Sequence, residues 1–244
     1  MRTFPFSAYG IGLAIGLLCA APACSASGQE EEKVVPVNPK PVQKDTIPYL
    51  ALGDSYTIGE SVAPIDRYPE QLAGRLKAAG IPISDPVIVA RTGWSTGDLI
   101  SALDANPPSP PFRIVTLLIG VNNQYRKLGL SGYETQFKEL LNQAIQYAGR
   151  ERVFVFSIPD YAYTPFGQRT SDPSRISNEI DEYNALNRKI TESQGVLYFD
   201  ITPISRRGLD EPVLVASDGL HPSGEMYRRW VDLALPAITE RLKK

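Results

Sequence analysis

Short, nearly unbroken apolar runs alternate along this chain with longer stretches in which apolar residues recur every three or four positions. The runs are IPYLALG (47–53), PVIVA (86–90), FRIVTLLIG (112–120), RVFVFSI (152–158) and VLYFDI (196–201). Runs of this length without polar alternation are those of strands buried on both faces. Between them, YPEQLAGRLKAAG (68–80) and the shorter TGDLISAL (96–103) read as helices. A third helix places Tyr133, Phe137, Leu140, Leu141, Ala144, Ile145 and Ala148 on one face, and a fourth aligns Ile176, Ile180, Tyr183, Leu186 and Ile190. SGEMYRRWVDLALPAITERLKK closes the chain as a last helix, with Pro236 the expected point of a kink. Strands and helices in this alternation predict an α/β protein, a three-layer α/β/α sandwich. Its five-stranded parallel sheet is expected in the flavodoxin-like order 2-1-3-4-5. Ligands then bind beyond the carboxyl ends of the strands, so residues just after each run carry the candidate chemistry.

The first 46 residues break this pattern. Arg2 precedes the apolar run AYGIGLAIGLLCAA (8–21), which has the length of a signal-peptide core and is short of the roughly 20 residues of a membrane span. APAC (21–24) is similar to a loose bacterial lipobox, with Ala and Pro at its first two positions. The expected reading is a lipoprotein signal over 1–23, with Cys24 as the lipidated first residue of an exported, membrane-anchored protein at the periplasm or cell surface. Ordinary cleavage near Ala23 or Ala26 is the alternative. Residues 24–46 are polar, acidic in part and proline-bearing, the composition of a flexible tether. One domain is expected over 47–244. Both cysteines, Cys19 and Cys24, lie ahead of it, so a disulfide or cysteine-based metal site is not expected there. With 25 basic and 27 acidic residues, the chain carries no electrostatic footprint for nucleic acid.

Four post-strand stretches hold the candidate chemistry. ALGDSYTIGE (51–60) follows the first run and would lift Ser55 to the sheet edge, although a Gly-Asp-Ser tripeptide is also an ordinary strand-to-loop turn. SDGLHPS (217–223) holds His221, the only histidine, three residues after Asp218. A serine hydroxyl needs an adjacent base, usually a histidine oriented by a carboxylate, and Asp-x-x-His brings the two within one turn. IGVNNQYR (119–126) offers the Asn122 amide as a donor to a developing oxyanion, against the plainer reading of an Asx turn. RTGWSTG (91–97) offers the Gly93 N–H to the same oxygen. Its GWSTG also fits the G-x-S-x-G elbow of a serine hydrolase, which would make Ser95 the nucleophile. Too few strands precede it for that fold, and Ser95 is better placed as a helix cap.

Ser, Gly, Asn and His in this order, with GDS and DGLHP as the most telling motifs, resemble the SGNH (GDSL-type) hydrolase family over about residues 47–243. GDSYTIGE, YPEQL and GVNNQYR look like its lysophospholipase-type esterases. The resemblance implies a serine esterase acting through an acyl-enzyme without metal or organic cofactor. Ser55 would be the nucleophile, His221 the base and Asp218 its orienting carboxylate. The Ser55 and Gly93 N–H groups and the Asn122 side chain would form the oxyanion hole. One departure is Asn123, where the family's G-x-N-D block carries a carboxylate. The implied substrate is a small-molecule, glycan or lipid ester, with lysophospholipids and acetylated glycans both open. The stretch 159–170 is a candidate wall of the acyl or alcohol pocket. Two rival readings are a non-catalytic exported lipoprotein that binds glycan or lipid, and an α/β-hydrolase using Ser95.

Overall fold

The computed structural model describes residues 46–109 and 111–243. The expected signal segment, Cys24 and the tether up to residue 45 lie outside the described residues. In chain order the elements are β1 (Ile47–Gly53), α1 (Ser55–Ile58), α2 (Tyr68–Ala78), β2 (Ile83–Ala90), α3 (Thr96–Ala105) and β3 (Ile114–Leu118). They continue with α4 (Val121–Tyr125), α5 (Leu130–Ala148), β4 (Val153–Phe156), α6 (Pro173–Ser193), β5 (Leu197–Phe199), α7 (Thr202–Ser205) and α8 (Gly224–Lys243).

The strands form one parallel sheet of five in the order β2-β1-β3-β4-β5, as the alternation of runs and helices predicts. The chain moves outward from β1 to β2, then crosses back to β3 and proceeds in one direction. Right-handed crossovers therefore place α2 on one face and α3, α5 and α6 on the other. α8 packs beside α2, while α5 lies between α3 and α6. Leu50, Leu52, Leu117, Val153 and Val155 are fully buried in the sheet. Burying each such side chain contributes about 1.5–3 kcal/mol.

The strands are shorter than their apolar runs at the carboxyl ends. β3 stops at Leu118 and β4 at Phe156, although Ile119 and Ile158 remain buried. There the backbone leaves the ladder to build loops while its side chains still fill the core. The helix expected from the Tyr133–Ala148 face is α5, and the short α4, set apart from it at Gly129, is an addition. α8 closes the chain as expected and runs as one element through Pro236.

Two register facts prepare the site. Gly53 of β1 is level with Leu118 of β3 and with Ala90 of β2. The segments after these strands, bearing Ser55, Asn122 and Gly93, therefore emerge together at one sheet edge. The direction of winding reverses between β1 and β3, where a crevice opens in folds of this kind.

Candidate active site

Ser55 is the first residue of α1 and is 5% exposed. Asp54 caps that short helix, its Oδ1 accepting the Tyr56 N–H at 3.0 Å. The turn into α1 needs a residue without a side chain. A Cβ on Gly53 would lie 2.1 Å from Thr57 Oγ1 and 2.3 Å from the Leu118 carbonyl oxygen. The motif Gly-Asp-Ser is thus legible as packing: glycine for close approach, aspartate as cap, serine presented at the edge.

His221 and Asp218 lie on a loop closed like a hairpin. Val215 and Pro222 form an antiparallel bridge, and the Ala216 N–H donates to the His221 carbonyl at 2.8 Å. Asp218 Oδ1 accepts the N–H groups of Leu220 (2.9 Å) and His221 (3.0 Å), and Oδ2 sits 2.6 Å from His221 Nδ1. The Ser61 hydroxyl also donates to Oδ2, at 2.7 Å. Burial acts to raise the Asp218 carboxyl. The hydrogen bonds from the His221 ring, the Leu220 N–H, the Ser61 hydroxyl and the His221 N–H outweigh it and hold the group well below the usual carboxylate range. An ionised carboxylate at this position keeps the proton on Nδ1 and turns Nε2 outward as an acceptor.

Gly93 sits in a turn closed by the Trp94 N–H donating to the Arg91 carbonyl, and its φ of 85° is left-handed backbone that favours glycine. Asn122 Nδ2 donates to the Trp94 carbonyl at 2.9 Å, which leaves its second N–H available. Asn123 takes over the loop-fixing task expected of a carboxylate. Its Oδ1 accepts the Thr96 N–H at 3.0 Å, and its Nδ2 donates to Thr96 Oγ1 at 2.7 Å. The Thr96 hydroxyl donates its own hydrogen bond to Gln136 Oε1, so an amide completes the chain of bonds. Ser95 does not enter the site. It caps α3 in a reciprocal capping box with Asp98, which removes the reading of Ser95 as an elbow nucleophile. The sheet likewise differs from an α/β-hydrolase, in which several strands precede the elbow.

Ser55, Gly93, Asn122 and His221 line a single cavity of about 310 Å³. Its remaining wall is mostly apolar and aromatic: Tyr56, Val121, Tyr125, Tyr161, Phe166 and Leu220. Tyr161 and Phe166 come from the stretch 159–170, a wall built on the buried Asp160. That carboxylate accepts from the Ala162 N–H, the Ser177 hydroxyl and the Arg206 guanidinium. The Phe166 N–H donates to the Gly219 carbonyl at 2.9 Å, which joins this wall to the His221 loop. Tyr56, directly after Ser55, packs its ring edgewise on His221 with centroids 5.8 Å apart and rests on Trp230 behind. Sequence reasoning missed Tyr56, Val121 and Tyr125, whose apolar or aromatic character is shared with the core.

Asp54 is the other unusual group. It is fully buried and its Oδ2 has no hydrogen-bond partner. Burial pushes its carboxyl up to about 7, against the pull of the Tyr56, Gly120 and Asp54 N–H dipoles. Among the described residues no group of three or more His, Cys, Asp or Glu is arranged to hold a metal ion.

Comparison with known proteins agrees with this architecture. The acetylxylan esterase Axe2 from Geobacillus stearothermophilus superposes with a TM-score of 0.63 at 19% identity, over 80% of this chain and 96% of its own. TesA gives 0.63 at 14% identity, over 79% and 98%. A member of the lipolytic protein G-D-S-L family from Veillonella parvula gives 0.62 at 16%, over 80% and 99%. At these identities the likeness is one of fold. No curated protein matches the chain. Residues 51–229 match the GDSL-like lipase/acylhydrolase family, a span that starts inside β1 and ends in α8, so that it takes in all the site loops. The chain therefore belongs to the GDSL-like lipase/acylhydrolase family and is a hydrolase acting on esters.

Proposed function

We propose that the protein is a serine esterase working through a Ser55–His221–Asp218 triad. His221 Nε2 takes the Ser55 proton as Oγ attacks the ester carbonyl, and the Ser55 and Gly93 N–H groups and Asn122 receive the oxyanion. His221 then gives its proton to the leaving alcohol. Water, deprotonated by the same ring, attacks the acyl-enzyme and returns the serine. The observation that carries this reading is the Asp218–His221 pair at 2.6 Å, on a ring that shares one cavity with Ser55.

The cavity supports a short or medium acyl group. Its volume of about 310 Å³ is at the small end of ligand pockets, and its aromatic and aliphatic wall suits hydrocarbon. A long lipid chain exceeds that space. The substrate class we favour is thus a short- to medium-chain acyl ester, a class that includes acetylated glycans such as those named for Axe2.

A fluorophosphonate probe tests the reading directly. The adduct should map by tandem mass spectrometry to the peptide containing Ser55, and Ser55→Ala should lose both labelling and turnover. On p-nitrophenyl esters from acetate to palmitate, kcat/KM should peak at or below medium chain length. An adduct on Ser95, or turnover retained in Ser55→Ala, would overturn the triad. A protein that takes no probe and turns over no ester is instead a binder with a relic site.

A further inference from the structure

The turn that follows α1 reaches two of the other loops of the site. Gly59 ends the helix in left-handed backbone, and the Glu60 N–H returns to the Ser55 carbonyl at 3.0 Å. The two residues after Gly59 then point their side chains to different partners. Glu60 Oε2 accepts the hydroxyl of Thr92, the residue directly before Gly93. Ser61 donates to Asp218 Oδ2 at 2.7 Å, the same oxygen that meets His221 Nδ1. Ser61 has a φ of 66°, and among the described residues only Lys127 shares a positive φ without being glycine. A side chain held in that sparsely populated region at a site is a reason to look for a function.

We propose that Glu60 and Ser61 are positioning residues, one bracing the oxyanion loop through Thr92 and the other bracing the carboxylate that orients His221. This rests on the triad reading above. The serine hydroxyl draws charge from the oxygen that faces the ring and stops the carboxylate from rotating. Without it, Asp218 holds a protonated imidazole more strongly, so the ring is inactivated as a base at a higher pH. Among the described residues, the titratable groups near this pair include Tyr56, whose ring meets His221, Tyr125 and Tyr161 in the same cavity, Tyr227 on α8 and Arg169 beside Gly219. None is changed by substituting Ser61. Glu60 acts at the other loop, where a small displacement of the Gly93 N–H is felt mainly in the transition state.

The experiment begins with fluorophosphonate labelling of the wild-type protein and then measures kcat and KM against pH. Ser61→Ala and Ser61→Gly both lack the hydroxyl but differ in backbone strain, which Gly relieves. Both should move the acid limb of kcat/KM upward by about half a pH unit. Glu60→Ala should lower kcat roughly 10-fold with little change in KM, whereas Glu60→Gln, which keeps an acceptor for Thr92, should retain most of the activity. An unlabelled Ser55 in the wild-type protein sinks the triad reading and this inference with it. A labelled Ser55 with an unmoved acid limb in both Ser61 variants, or a Glu60→Ala effect confined to KM, overturns the brace alone.

Discussion

Each candidate side chain is held by a bond that a neighbouring residue supplies. Asp218 takes two backbone N–H groups from its own turn, and its second oxygen is left for the His221 ring and Ser61. Asn122 spends one amide N–H on the Trp94 carbonyl, which orients the other. Asn122→Ala removes a donor that strengthens only as negative charge develops. kcat should fall by roughly 10²–10³ while KM changes little. Steady-state kinetics on one short-chain ester checks this. A change confined to KM would mean that Asn122 binds ground-state substrate instead.

At the level of elements, the strand ends and helix caps decide which serine faces the cavity. Ser55 follows the internal strand β1, at the reversal of winding, whereas Ser95 follows the edge strand β2 and is consumed by α3. The Ser95 hydroxyl oxygen accepts the Asp98 N–H at 3.4 Å, and the Asp98 carboxylate in turn accepts the Ser95 N–H at 2.9 Å. Ser95→Ala breaks this capping box and should lower stability by about 1–2 kcal/mol. Chemical denaturation measures that loss, and the variant should remain an active esterase. The long amphipathic helices α5 and α6 were legible from their spacing, because four or more turns repeat one apolar face. The five-residue α4 was not, since so short a segment shows no period.

Across the whole molecule, the buried Asp54 couples stability to pH. Its carboxyl titrates at about 7 in the folded protein, against about 3.9 in an unfolded chain. A raised carboxyl pKa means that the folded state binds the proton more tightly. The associated stability is complete below the unfolded value and is lost as pH rises through the folded one. Between pH 5 and pH 8 this group should remove roughly 2–3 kcal/mol. Asp54→Asn keeps an acceptor for the Tyr56 N–H without the titration. Unfolding in urea at the two pH values should show a smaller decline for the variant than for the wild-type protein. Equal declines would mean that Asp54 does not titrate in this window.

The order and type of the main elements, and the segments that bear Ser55, Gly93, Asn122, Asp218 and His221, follow from the sequence alone. Buried parallel strands leave unbroken apolar runs, and turns leave glycine, aspartate and proline at fixed offsets. Even the Asp218–His221 contact was legible, because it closes within one turn. Contacts between segments distant in the chain left no such trace. Ser61 reaches Asp218 across 157 positions and Thr92 reaches Glu60 across 32, and nothing in either local pattern marks the pairing. The burial of Asp54, the tie from Asn123 to Thr96 and the place of Tyr125 in the cavity wall likewise arise only when strand register brings separate loops to one edge, whereas the stretch 159–170 that supplies Tyr161 and Phe166 was already legible as a wall. Local propensity acts over a few residues, whereas a site is assembled by the packing of the whole sheet.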